Sequence, residues 1–137
     1  METTVLRKVE KNAETIRLCY DAFNEGDLET VRKNFHKDVT WMVPGKSSMS
    51  GRKTGLVAVM DFLKKVGKET QGSFRANLKE LALSEDGHVI AIHTLTAKRN
   101  EKHLDQECCM VFEYKDGKVI SGKEYGFDLY ALDDFWK

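Results

Sequence analysis

The chain has 137 residues, 41% of them hydrophobic and 32% charged. That is the length of one domain and the composition of a globular one, able to bury a core without disulfide staples. Lysine plus arginine and aspartate plus glutamate both number 22, so the net charge is zero and gives no electrostatic reason to expect nucleic acid or an anionic membrane as partner. No apolar run approaches the roughly 20 residues of a bilayer span. Met1-Glu2-Thr3-Thr4 opens a charged amphipathic stretch and not the apolar block of a signal peptide. Cys19, Cys108 and Cys109 show no metal-ligand spacing. Neighbours on a strand point to opposite faces, so Cys108 and Cys109 should not bridge. All three read as reduced thiols of a cytoplasmic protein.

Val5, Val9, Ala13, Ile16, Tyr20 and Phe23 recur at helical spacing and predict a first helix, stopped by Asn24-Glu25-Gly26. Asp27 caps a short second helix carrying Leu28, Val31 and Phe35 on one side. A brief strand over Val39–Val43 ends at Pro44, the only proline, and the Gly- and Ser-rich stretch from Gly45 to Gly55 reads as a loop. Leu56, Met60 and Leu63, flanked by Val59 and Val66, form a third helix ending at Gly67. Four β-rich runs follow, Phe74–Ser84, Val89–Arg99, Leu104–Tyr114 and Val119–Phe127. Asp86-Gly87 and Asp116-Gly117 supply hairpin turns, and Asn100-Glu101-Lys102 a longer one. The tail from Asp128 to Lys137 is helical or irregular, with Leu129, Leu132, Phe135 and Trp136 to bury.

Helices first and a meander afterwards predict an α+β domain over residues 1–137, with three N-terminal helices on one face of a curved antiparallel sheet. Ile90 and Ile92 face one way on their strand and Ala91 and Leu95 the other, while Val111 opposes Met110 and Phe112. Both faces are therefore apolar, yet short helices cover only one. The second face calls for a partner, and a homodimer is the simplest.

Several segments carry a resemblance. Tyr20-Asp21-Ala22-Phe23-Asn24-Glu25-Gly26-Asp27-Leu28 resembles the end of the first helix in SnoaL-like proteins of the nuclear transport factor 2-like superfamily. Val43-Pro44-Gly45, Ser50 to Gly55, Asp116-Gly117-Lys118-Val119, Glu124 to Asp128 and the tail Leu132 to Trp136 are similar to later segments of that family. The resemblance implies a conical α+β barrel enclosing an apolar pocket. Relatives of this kind include ketosteroid isomerases, polyketide cyclases, limonene-epoxide hydrolases and non-catalytic binding modules, so the fold alone names no reaction.

Two of those chemistries lack their parts. Matching to the ketosteroid isomerases places Cys19 at the tyrosine, Val43 at the base and Gln106 near the second oxyanion donor, and none of the required types is present. The epoxide hydrolases need an arginine and an aspartate on the middle strand, where this chain has Ala91-Ile92-His93-Thr94-Leu95. The Gly/Ser loop has no phosphate-cradling spacing. Cyclase-like chemistry asks only for a pocket and an acid or base. For that, the resemblance points His93 into the cone and brings Glu124 and Asp128 inward from the last strand. It places Gln106 and Cys108 on the neighbouring strand and Tyr20, Trp41 and Phe112 on the apolar wall. On this reading His93 and Asp128 transfer protons, no cofactor or metal is needed, and the ligand is a small apolar molecule. Other roles stand beside these: His93 as an ordinary hydrogen-bonded residue, Asp128 as the cap of a tail helix, Glu124 as a solvated residue paired to Lys123 or Arg99. Ala91, Gly122 and Gly126 are small and would leave room on the cavity face.

Overall fold

In the computed structural model, which describes residues 2–137 with side chains from Glu10 onward, the first helical face lies against the sheet as its spacing requires. Val5 and Val9 fall outside the described side chains, but Ile16, Tyr20 and Ala22 are buried. Helix α1 (Glu2–Asn24) ends at Gly26, whose φ of +80° lets Asp27 N–H reach back to the Ala22 carbonyl at 2.8 Å. Asp27 caps α2 (Leu28–Lys33), its carboxylate accepting from Thr30 N–H at 3.2 Å and from the Thr30 hydroxyl at 2.6 Å. Phe35 was expected on α2. It opens β1 (Phe35–Val43) instead, because the helix stops at Asn34 and the ring turns into the core under the sheet.

The remaining elements are β2 (Gly51–Thr54), α3 (Leu56–Glu69), β3 (Arg75–Leu83), β4 (Val89–Arg99), β5 (Lys102–Lys115), β6 (Lys118–Gly126) and α4 (Leu129–Phe135). The sheet runs β2-β1-β6-β5-β4-β3 and is open, with β2 and β3 at its edges. Irregular register in the β1–β6, β3–β4 and β5–β6 pairings bends it over the helices. The α+β class holds, with three corrections. Among the described residues there are four helices, since the tail forms α4. Part of the Gly/Ser loop is strand: β2 pairs with β1 through its backbone and buries none of its residues, so it shows no apolar alternation. The sheet is also mixed, because β1 and β6 run parallel with Trp41 opposite Gly122.

Along β4 the two faces separate cleanly. Ala91, His93 and Leu95 are 0%, 5% and 4% exposed, whereas Ile90 and Ile92 are only half-buried on the outer face. Asn24 ties the helical layer to the sheet edge. Its amide donates to the Ala76 carbonyl at 2.8 Å and accepts from Ala76 N–H at 2.9 Å, completing for β3 the pairing a further strand would have given. Asn24→Ala leaves both backbone groups without a protein partner. It should cost about 2 kcal/mol, read as a lower urea midpoint at unchanged slope.

Candidate functional site

A cavity of about 90 Å³ lies between the helices and the concave face of the sheet. Cys19, Tyr20 and Phe23 of α1 and Phe62, Leu63 and Val66 of α3 form one side. Phe35 and Trp41 of β1, Ala76 of β3, His93 and Leu95 of β4, Met110 and Phe112 of β5 and Glu124 of β6 form the other, and Val31 of α2 and Phe74 complete the lining. The wall is almost wholly apolar, which makes its few polar atoms conspicuous.

Two of those atoms meet. The Tyr20 hydroxyl and His93 Nδ1 are 2.7 Å apart and buried, their rings edge to face at 5.3 Å. Burial pushes the His93 imidazole down to about 4, so it is neutral at physiological pH. Burial, reinforced by the charges of Cys108, Glu124 and Cys109, pushes the Tyr20 phenol well above its ordinary range, so it keeps its proton. If Tyr20 donates to Nδ1, the Nε2–H remains available. If Nδ1–H donates to Tyr20, the phenol O–H remains available. In either tautomer the pair keeps one donor for another molecule.

Glu124 supplies the opposite function. Trp41 Nε1–H donates to its carboxylate at 2.8 Å. Burial raises the Glu124 carboxyl to about 7, partly offset by that hydrogen bond and by the charge of Lys53. Lys53 of β2 pairs with Trp41 of β1 and donates to the carbonyls of Met49, Ser50 at 3.0 Å and Gly51 at 3.2 Å. Its ammonium lies 5.0 Å from the centre of the Phe62 ring, and burial lowers its pKa. Among the described residues no group of metal-ligating side chains is close enough to hold an ion.

Tyr20, Trp41, His93, Phe112 and Glu124 thus converge on the cavity, while three other candidates do not. Asp128 is exposed and caps α4, accepting from Ala131 N–H at 3.1 Å, because β6 ends at Gly126 and the chain turns away from the sheet. Gln106 is spent on that same turn, pairing with the Asp128 backbone at 2.9 and 3.1 Å. Cys108 is buried opposite His93 but does not border the cavity, and burial pushes its thiol up to about 12. The room expected over Gly122 is filled by Trp41, whose Cε3 would lie 2.6 Å from a β-carbon there. Gly126 faces Gln106, Leu129 and Leu132. Sequence reasoning missed Lys53, Phe62 and Phe74. Only the helical spacing of Phe62 offered a signal.

Helices over the concave face of an open, curved sheet, with an apolar cavity between them, define a pocket protein of the cone-shaped α+β type. The sequence profile of the SnoaL-like domain matches residues 16–122, and the chain belongs to that family. The uncharacterized protein Rv0034 of Mycobacterium tuberculosis (strain ATCC 25618 / H37Rv) is 31% identical over 121 residues, 88% of this chain and 92% of that one. The structure of Bal32a, from a soil-derived mobile gene cassette, is similar over 95% of this chain and 99% of its own, at 45% identity and a TM-score of 0.93. A Xanthomonas campestris protein of unknown function with a cystatin-like fold follows at 24% identity and a TM-score of 0.85, over 91% of this chain and 97% of its own.

The two buried shifts pull stability in opposite directions with pH. His93 lies below its ordinary 6.5, so its contribution is present above that value and lost as pH falls toward about 4. Glu124 lies above its ordinary 4.5, so its contribution is present below 4.5 and lost as pH rises through about 7. Glu124→Gln removes only the second. The stability of the wild type minus that of the variant, from urea melts, should therefore decrease as pH rises through that window.

Proposed function

We propose that this SnoaL-like protein holds a small, mainly apolar molecule in the cavity and carries out cofactor-independent acid–base chemistry on it. Glu124 is the proton acceptor, and the donor left free by the Tyr20–His93 pair faces the developing negative charge. One observation carries this reading: an acid and a base shifted in opposite directions by burial line a single apolar cavity. His93 keeps the role expected from the sequence, and Glu124 takes the one expected of Asp128. Neither group needs a bound metal for this chemistry. Three free thiols accord with a cytoplasmic setting, and no helix among the described residues is long and apolar enough to cross a membrane.

The test uses apolar ketones selected by thermal shift, since a ligand of the folded state raises the melting temperature. Exchange of the protons beside the carbonyl is then followed by NMR in heavy water. His93→Ala and Glu124→Gln should each slow exchange by about 10²-fold or more. Asp128→Asn should leave it within about twofold, as expected of a residue outside the site. Ketones that bind without accelerated exchange would replace this reading with a non-catalytic binding module.

The outer sheet face supports a second part of the proposal, a homodimer. Ile90 lies across from Val111 and Ile92 across from Cys109, all half-buried on a face that no helix covers among the described residues. Tyr125, 56% exposed, extends the patch from the position opposite Cys109. A second copy would bury this band. Light scattering at micromolar concentration should give twice the chain mass, and Ile92→Lys should give the monomer mass.

A further inference from the structure

A second space borders the cavity near the ends of the helices. A groove of about 390 Å³ opens beside it, where α1 and α3 finish and β3 begins. Phe23, Leu63 and Phe74 line both spaces, so the groove and the cavity meet at these apolar side chains. Phe23 and Phe74 pack edge to face there, 5.8 Å between ring centres.

The two spaces differ in charge. The cavity wall holds Glu124 and no lysine or arginine. The groove is lined by Lys64, Lys68 and Arg75 against one carboxylate, Glu25, on the α1 side. Lys64 and Lys68 lie one turn apart on α3, so their side chains project from one face of it. Near the end of α3 the carbonyls of Val66, Lys68 and Gly67 accept from the N–H groups of Thr70, Gln71 and Gly72. Arg75 uses Nη1 on the Gly72 and Phe74 carbonyls, and its remaining N–H groups have no hydrogen-bond partner among the described residues. In a chain with zero net charge, this is a local excess of positive charge at the edge of an apolar cavity.

We propose that the molecule held by the cavity carries an anionic group, a carboxylate or a phosphate, which rests in the groove against Lys64, Lys68 and Arg75 while its apolar body occupies the cavity. The inference rests on the cavity being a small-molecule site and adds the chemical class of its ligand. An anion seated there meets lysine and arginine and stays apart from Glu124, the one carboxylate lining the cavity. Arginine matches either anion through paired N–H groups, and the two lysines add unspecific attraction.

The experiment compares molecules that differ only at the end reaching the groove: 6-phenylhexanoate, 6-phenylhexyl phosphate, 6-phenylhexan-1-ol and 6-phenylhexylamine. Affinities are measured by calorimetry on the full chain, at low and high salt. One or both anions should bind about tenfold or more tighter than the alcohol, and the amine more weakly than the alcohol. High salt should shrink that margin. The K64E/K68E double variant, on exposed helix positions, should abolish it while leaving the affinity for the alcohol unchanged. The tighter anion identifies the group. Equal binding of anion and alcohol, or a margin that survives in K64E/K68E, would overturn the proposal and leave the cavity reading intact. Binding of none of the four would overturn both.

Discussion

The site depends on Trp41 packing where residue 122 has no side chain. The parallel pairing of β1 with β6 sets Trp41 opposite Gly122, and the indole occupies the space that any β-carbon there would need. From that position it stacks on Phe35 at 5.8 Å, leans on Phe112 at 5.9 Å and holds the Glu124 carboxylate by its N–H. One contact between ring and backbone therefore joins the first strand to the last, closes one wall of the cavity and orients its carboxylate. A larger residue at 122 would displace the ring from all three tasks at once, because a packed interior has no spare volume to absorb it.

Polar groups in such an interior are expensive, and this fold limits what each can do. Tyr20 and His93 satisfy one another, which removes most of the cost of burying them, and burial keeps both in their neutral forms. Glu124 has one strong donor in Trp41 and a more distant cation in Lys53, enough to keep ionisation within reach near neutrality but not to make it complete. Lys53 in turn is held by three loop carbonyls, so the stretch from Met49 to Gly51 is fastened next to the cavity by the same residue whose charge reaches Glu124.

Much of this was legible in the sequence, and the gaps have physical causes. Helical spacing in α1 and α3 and the Asp27 cap report burial directly, so those helices were readable. β4 instead alternates between two apolar faces, the one with Ile90 and Ile92 the more apolar, and only the resemblance chose the face of His93 as the inner one. β2 was not, because an exposed four-residue strand pairs only through its backbone and leaves no pattern in its side chains. The parallel β1–β6 pairing was not, because strands far apart in the chain carry no turn signal between them. In the site, His93 and Glu124 could be named from the resemblance, but alternation along β6 could not show that the strand ends before Asp128. A carboxylate at a strand end and one at a helix start look alike until the chain direction is known. Gly122 misled for a related reason: a glycine marks space, and only the fold shows which neighbour fills it.

The Asn24 amide has a consequence beyond holding a helix in place. β3 lies at the margin of an open sheet, where unpaired N–H and C=O groups invite a strand from another molecule to add on. By occupying both main-chain groups of Ala76, Asn24 blocks that margin near its start. Further along, the irregular register between Leu78 and Glu80 breaks the straight edge, and Lys79 and Glu80 add charge to it. The same side chain that fixes the helical layer thus guards a crowded solution of these chains against growing edge to edge into fibres.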